Sequence, residues 1–202
     1  MLYDVFQPGL RHGSARLPHD PEKAYAYVEH PTEGWRVYLR SAAFLYSQGG
    51  PRRFLVVKRW GARKGPAWEP PKGQMEGKEL RGRSIYQALL ENIRREIAEE
   101  AHITTSIPLR HTGLVFQSQE TSYPSHHFFQ YHIFEAEITS TQLAQSEETF
   151  AWMKQHPKAV ERWTRDRKEK DAVAWFDPKT TRLNPRWCPD IVALYLQQKR
   201  RL

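Results

Sequence analysis

Long apolar runs are absent from this chain. None approaches the roughly 20 residues that a membrane-crossing helix requires, so no membrane span is expected. Cysteine is nearly absent too. Cys188 stands alone, cannot form an internal disulfide, and points to a reducing compartment. The opening stretch, MLYDVFQPGLRHGSARLPHD, lacks the apolar segment of a secretory signal. Asp4, Asp20 and the prolines argue against a mitochondrial presequence, which makes the cytoplasm the expected location and leaves the mitochondrion as the second. Internal repeats and low-complexity segments are missing. Acidic residues are in the minority, 23 against 31 Lys and Arg, which leaves a formal net charge of +8. A basic surface attracts polyanions such as nucleotides, RNA or inositol phosphates. Charge of this size also occurs without a dedicated partner, so composition alone does not choose.

What is present suffices for one sizeable core and an insert rather than two full domains, given 202 residues. Residues 1–34, rich in Pro, Gly, His and charge, read as a loosely organised arm, and 35–202 as the folded domain. WRVYLRSAAFLY (35–46) and RFLVVKRW (53–60) read as two strands of a hairpin about a QGGPRR turn. Residues 61–79 form a loop full of Gly, Pro and charge. Ser84 with Gln87 three residues on is a capping box, in which each side chain satisfies a free backbone N–H at a helix start. Ile85, Leu89, Ile93 and Ile97 then recur every four residues, the buried stripe of a helix over about 85–101. Residues 111–118, 126–138 and 173–177 read as strands, 146–172 as a basic insert that is helical in part, and 189–202 as a final helix with Ile191, Leu194 and Tyr195 on one face. Strands on both sides of a central helix predict an α+β fold, a mixed sheet between helices.

Within that central helix, RREIAEEAHI (94–103) crowds Glu96, Glu99 and Glu100 onto one side at i, i+3 and i+4. Their repulsion costs a few tenths of a kcal/mol per pair on an exposed helix. They also sit near the helix C-terminus, where the dipole favours cations. A bound Mg²⁺ or Mn²⁺ removes both objections, because hard ions take carboxylate oxygens and share their remaining positions with phosphates. A solvated acidic face paired to Arg94 and Arg95 is the alternative.

The upstream loop adds a second half to the pattern. Gly73 and Glu79 are separated by five residues, and Arg95, Glu96, Ile97, Glu99, Glu100 and Ile103 follow in fixed spacing. With the preceding AWEPPKG, this resembles the signature of the Nudix hydrolase family. The chain departs from it twice. Fifteen residues (80–94) separate Glu79 from Arg95 where the family has seven, and His102 stands where the family has Gly. The capping pattern at Ser84 places the extra residues mostly at the N-terminal end of the helix, which puts the reach of Glu79 to Arg95 in doubt. A helix-ending residue often needs a positive φ, which suits Gly and which His adopts more readily than most.

The resemblance implies a Nudix fold and a pyrophosphohydrolase that uses Mg²⁺ or Mn²⁺. Its substrate would be a nucleoside diphosphate linked to another group: a nucleotide, a dinucleoside polyphosphate, a capped RNA 5′ end or a diphosphoinositol. It implies that Glu96, Glu99, Glu100 and a backbone carbonyl near Gly73 hold metal, that Arg95 orients a glutamate, and that Glu79 supports Arg95. An additional acid or base is sought among Glu120, Glu147, Glu148, Glu169 and Asp171, with Glu169 and Asp171 favoured. Lys58, Arg59 and Lys72 are the expected phosphate-binding cations.

Trp68 is the expected stacking residue, with Trp60, Trp152, Trp163, Trp175 and Trp187 as further candidates. WCPDIVALYLQQK (187–199) is loosely similar to the C-terminal helix of the family's oxidised-purine nucleoside triphosphatases. His126, His127 and His132 have no cysteine nearby to complete a tetrahedral set, so a strand with polar edges is expected there rather than a zinc site. The insert, with Arg162, Arg165, Lys168 and interleaved Trp152 and Trp163, could track an RNA backbone or could be a solvated face. The competing functional reading is a Nudix-fold protein without catalysis that binds RNA or serves in an assembly.

Overall fold

The computed structural model describes residues 1–18, 20–49, 53–62 and 65–199. Its spine is β3 (Arg36–Ser47), buried from Val37 to Leu45. Alternation assigns Val37, Leu39, Ala43 and Leu45 to one face of the sheet, and Tyr38, Ala42 and Phe44 to the other. β3 runs parallel to β8 (His127–Ile138) along its whole length, from Arg36 opposite His127 to Ser47 opposite Ile138. β7 (Arg110–Ser118) closes one edge against β8. On the other side β3 pairs first with β2 (Asp20–Glu29) and further along with β6 (Lys72–Gln74). β1 (Arg11–Leu17) lies outside β2. A small second sheet has β4 (Leu55–Arg59) between β5 (Trp68–Glu69) and β9 (Lys170–Trp175).

Helix α1 (Ile85–Glu100) starts where its capping box places it. The Gln87 amide donates to Ser84 Oγ at 3.3 Å, and the Ser84 amide donates to Gln87 Oε1 at 3.1 Å. Its stripe of Ile85, Leu89, Ile93 and Ile97 covers one face of the main sheet. Helix α4 (Cys188–Lys199) covers the other face through Ile191, Val192 and Tyr195, and the Tyr195 ring stacks on Phe44 with centroids 3.7 Å apart. The mixed sheet therefore lies between helices, as expected from the sequence. Helix α2 (Ser140–Gln155) and helix α3 (Pro157–Val160) form the insert with a 3₁₀ turn at Asp166–Lys168. Phe150, Met153, Val160 and Trp163 give the insert a small core against Val173. Among the described residues, no helix is long and apolar enough to cross a membrane.

Three expectations are corrected. The arm over 1–34 is not loose: Arg11–Leu17 and Asp20–Glu29 form β1 and β2 of the main sheet, in which an outer strand can be polar because only one side of it meets the core. The hairpin of 35–46 with 53–60 does not form. β3 and β4 share a single bridge, Tyr46 opposite Phe54, and then diverge into different sheets. The loop over 61–79 carries β5, β6 and a 3₁₀ turn at Gly77–Leu80. Residues 50–52 of the expected turn and 200–202 of the expected last helix lie outside the described residues.

Candidate active site

On α1 the buried stripe continues past its aliphatic residues into Asn92, Glu96 and Glu100. Glu96 is 7% exposed and Glu100 2%. Glu99 sits to the side, half-buried, so the three glutamates do not share one face equally. Burying a carboxylate favours its neutral form. Burial therefore raises Glu96 well above the usual carboxylate range, Arg95 pulls it back, and Glu100 and Glu99 raise it further. Glu100 is raised by burial against the pull of Lys170.

β6 runs directly over these acids. A Cβ added at Gly73 would overlap the Glu96 carboxylate, so glycine is what lets Glu96 lie against this strand. The backbone N–H of Lys72 donates to Glu100 Oε2 at 2.9 Å. From the sheet below, Ser41 Oγ bonds Asn92 Oδ1, and Asn92 Nδ2 reaches Glu96 Oε1 at 3.5 Å.

Arg95 ties the cluster together. Its Nε lies 3.1 Å and its second terminal nitrogen 3.3 Å from the two oxygens of Glu79, a bidentate pair. The same guanidinium lies 2.7 Å from Glu96 Oε1 and 2.7 Å from Glu99 Oε2, and donates to the Gln74 carbonyl at 3.3 Å. Glu79 also accepts from the Glu76 N–H at 2.7 Å, which closes the 3₁₀ turn that carries it. The doubt raised by the long separation is thereby removed: Glu79 reaches Arg95 because that turn brings it back under the helix. His102 adopts φ 54°, the left-handed conformation anticipated at that position. Its ring packs on Phe150 and Trp163 of the insert, with centroids 4.8 and 5.9 Å away. Packing of this kind offsets the strain that a glycine would avoid.

Sequence reading missed the far side of the cluster. Glu69, 3% exposed, lies 3.0 Å from Lys72 Nζ, accepts from Asn184 Nδ2 at 3.0 Å, and pairs with the ammonium of Lys170. Burial alone would raise Glu69, but Lys72 and Lys170 hold it far below the usual range. Lys170 is fully buried, and burial would lower its pKa, yet Glu100, Glu69 and Glu169 hold it above its ordinary value. The local clue was charge on two short strands, Glu69 in AWEPP and Lys170 in EKDAVAW.

A cleft opens between these groups and the 3₁₀ turn of the insert. Glu96, Glu99, Glu100, Arg95, Gly73, Lys72, Glu169, Arg165 and Asp166 line it, with Asp20, Lys23 and Tyr25 from β2. It continues past Lys72, Gln74, Arg165 and Glu169 into a groove walled by Arg40, Arg59, Arg186, Tyr131 and Trp187. Arg40 is buried, bonds Glu120 at 3.1 Å and Tyr123 at 3.0 Å, and stacks over Phe129. Its Nε has no partner among the described residues.

The expected residues divide accordingly. Lys72 and Arg59 line the cleft or its groove, whereas Lys58 and Trp68 line neither, and Trp187 stands where a stacking residue would be useful. Of the five additional acids, Glu169 lines the cleft. Asp171 instead accepts from the Gly61 N–H at 3.0 Å. Glu120 is consumed by Arg40 and Arg186. Glu147 and Glu148 are exposed on α2 and do not line the cleft. Trp163 stacks on Trp152 and is capped by Arg167, 4.1 Å above its ring. His132 is buried against His111, with 3.2 Å between ring nitrogens.

The NUDIX domain family profile matches residues 38–190, most of the chain, from within β3 to the start of α4. No curated protein is significantly similar in sequence. Among solved structures, the chain is similar to a NUDIX hydrolase from Nitrosomonas europaea at 16% identity, over 80% of this chain and 90% of that one, with a TM-score of 0.46. It is also similar to the NUDIX domain of Shewanella oneidensis NrtR complexed with ADP ribose, at 13% identity over 84% and 93%, with a TM-score of 0.47. A third is a Caenorhabditis elegans Ap4A hydrolase, at 14% identity over 82% and 99%, with a TM-score of 0.45. With a profile match that runs through the sheet, the carboxylate helix and the insert, the chain belongs to the NUDIX family and is a hydrolase acting on phosphoanhydrides.

Proposed function

We propose that this chain is a divalent-cation-dependent pyrophosphohydrolase whose substrate carries a phosphoanhydride within a strongly anionic group. The observation that carries this reading is the buried pair Glu96 and Glu100, held on a core-facing stripe under a glycine strand. Two carboxylates are buried at such a cost only where positive charge or a proton offsets it; Arg95 and Lys170 supply part of that charge, and a cation at Glu96 and Glu99 would add to it. The residues fit a hard cation: Glu96 and Glu99 offer oxygens, the tight approach of Gly73 lets a backbone carbonyl join them, and Glu100, whose oxygens meet the Lys72 N–H and Lys170, borders the site. Mg²⁺ or Mn²⁺ bound there would activate water and neutralise phosphate charge.

The chain's own residues do the rest. Arg95, braced by Glu79, fixes the rotamers of Glu96 and Glu99. Glu169, half-exposed at the junction of cleft and groove, is the residue we assign to take the proton from attacking water. Lys72, Arg59, Arg165 and Arg186 receive phosphate oxygens, and Trp187 borders the far end of the groove. That density of arginine favours substrates with several phosphates: dinucleoside polyphosphates, capped RNA 5′ ends or diphosphoinositols ahead of simple nucleotides. Residues 35–202 supply this chemistry, and β2 borders it through Asp20, Lys23 and Tyr25. The reducing cytoplasm is the proposed setting, with Cys188 buried and its thiol directed at Glu69.

The non-catalytic RNA-binding reading loses ground because Trp163, its interior stacking residue, is packed between Trp152, His102 and Arg167. The test is phosphate or nucleotide release from these substrate classes with Mg²⁺ or Mn²⁺, comparing wild type with Glu96→Gln. Turnover that is lost with the variant and absent under chelation is expected. No turnover on any class, with no thermal response to either ion, would reject the proposal.

A further inference from the structure

Glu69, Glu100 and Glu169 come from β5, from the end of α1 and from the residue before β9. One oxygen from each lies within 4.8 Å of the others, a spacing that suits a metal ion. The space they enclose is filled. Lys170 Nζ, with no exposed side-chain surface, lies 2.6 Å from Glu100 Oε1 and 3.2 Å from Glu169 Oε1, and pairs with Glu69. Three carboxylates on one ammonium exceed what that ammonium needs for its charge, and Lys72 Nζ supplies a second positive group to Glu69 from the other side.

An ammonium and a divalent ion cannot share one position. We infer that Lys170 is a resident cation that takes the place of a divalent ion at the Glu100 end of the cleft, so that exchangeable metal is confined to the side formed by Glu96, Glu99 and the Gly73 carbonyl. This rests on the proposed metal-binding role of Glu96 and Glu99. Physically, a tethered ammonium differs from a free ion in two ways. It does not depend on metal concentration, and it cannot leave with product. It also offers only three N–H donors and no open coordination position, so it can hold Glu69 and Glu100 in place but cannot itself bind a phosphate oxygen once those donors are used. Lys170 is in these terms a positioning residue for Glu100.

The inference sets the number of metal ions per chain. Mn²⁺ binding to the full-length protein, counted by titration calorimetry and by the electron paramagnetic resonance signal of free Mn²⁺, should rise by one ion per chain in Lys170→Gln. Metal-free Lys170→Gln should melt below wild type, since its carboxylates lose their counter-charge, and saturating Mn²⁺ should raise its melting temperature more than it raises that of wild type. Glu69→Gln/Lys170→Gln removes one charge of each sign, keeps a hydrogen bond between the two positions, and is judged by the same count if the single variant does not fold. A Mn²⁺ count equal to wild type in these variants overturns the inference. If wild type binds no Mn²⁺ while the variants do, the assignment of Lys170 stands and the metal-dependent function falls. If none binds, both fall.

Discussion

Gly73→Ala is the most economical probe of the site. Gly73 does not need a positive φ, so an alanine meets no backbone objection there. The added methyl meets the Glu96 carboxylate far inside contact distance, and one of the two has to move by about 1 Å. β6 is pinned to β3 through Gly73 opposite Ser41, and Glu96 is held by Arg95 at 2.7 Å. The side chain is the softer of the two and should swing aside. Overpacking of this kind costs about 1–3 kcal/mol. Replacing a glycine at a compatible position returns about 0.4–1 kcal/mol by restricting the unfolded chain. The net loss of roughly 1–2 kcal/mol corresponds to a few degrees in melting temperature for a chain of this length. Turnover should respond far more, since displacing a catalytic group by about 1 Å can cost on the order of 100-fold. The assay pairs thermal melts, with and without Mg²⁺, with steady-state hydrolysis. Glu96→Asp shortens the acid by one methylene and makes room, so Gly73→Ala/Glu96→Asp should be more stable than additivity allows. A Gly73→Ala protein with wild-type turnover and an unchanged Mg²⁺ response would refute the argument that Glu96 is held against this strand for chemistry.

Three further outcomes follow from the same geometry. Glu96 and Glu100 have folded-state pKa values raised above the ordinary 4.5, first by burial. The folded protein thus binds protons more tightly than the unfolded chain, and metal-free stability should decline as pH rises from about 4.5 upward through neutrality. Excess Mg²⁺ should flatten that decline, and a melting temperature independent of pH and Mg²⁺ over this range would contradict it. Arg95→Lys keeps the charge but not the fork that spans Glu79, Glu96 and Glu99. Turnover should fall at least 10-fold with retained folding, checked by kcat beside circular dichroism. Arg165 lines the cleft, so Arg165→Glu should raise KM for a polyphosphate substrate several-fold, whereas Arg162→Glu, from outside it, should leave KM unchanged. Equal effects would remove Arg165 from substrate binding.

The helix and its acids were legible because their information is local. Ser84 with Gln87, the four-residue recurrence from Ile85 to Ile97, and the arginine–glutamate spacing all fall within some twenty residues of sequence. Even the left-handed turn at His102 could be read, since only the backbone at that point was in question. What stayed hidden depends on pairing at a distance. Glu69 and Lys170 meet although 101 residues separate them, through strands whose composition says nothing of which sheet they join. Tyr25, Ala26, Tyr27 and Val28 alternate in size, but Pro, Gly and charge around them concealed an outer strand. The proximity of 35–46 and 53–60 suggested a hairpin, and local spacing could not reveal that β3 takes β8 instead.

The small sheet also constrains the order in which the molecule is made. β4 and β9 pair through Lys58 and Ala172, closing a loop of more than 100 residues. Contacts of such long sequence separation form late and slow folding. As the chain emerges from the ribosome, α1 is complete well before Lys170 exists. During that interval Glu100 lacks its ammonium partner, and the core stripe that carries it is safest with its carboxyl protonated or facing water. Assembly of the acidic centre therefore waits for β9, which brings the ammonium. A chain stopped before residue 170 would hold every element of the recognisable signature and still lack the cation around which its carboxylates are arranged.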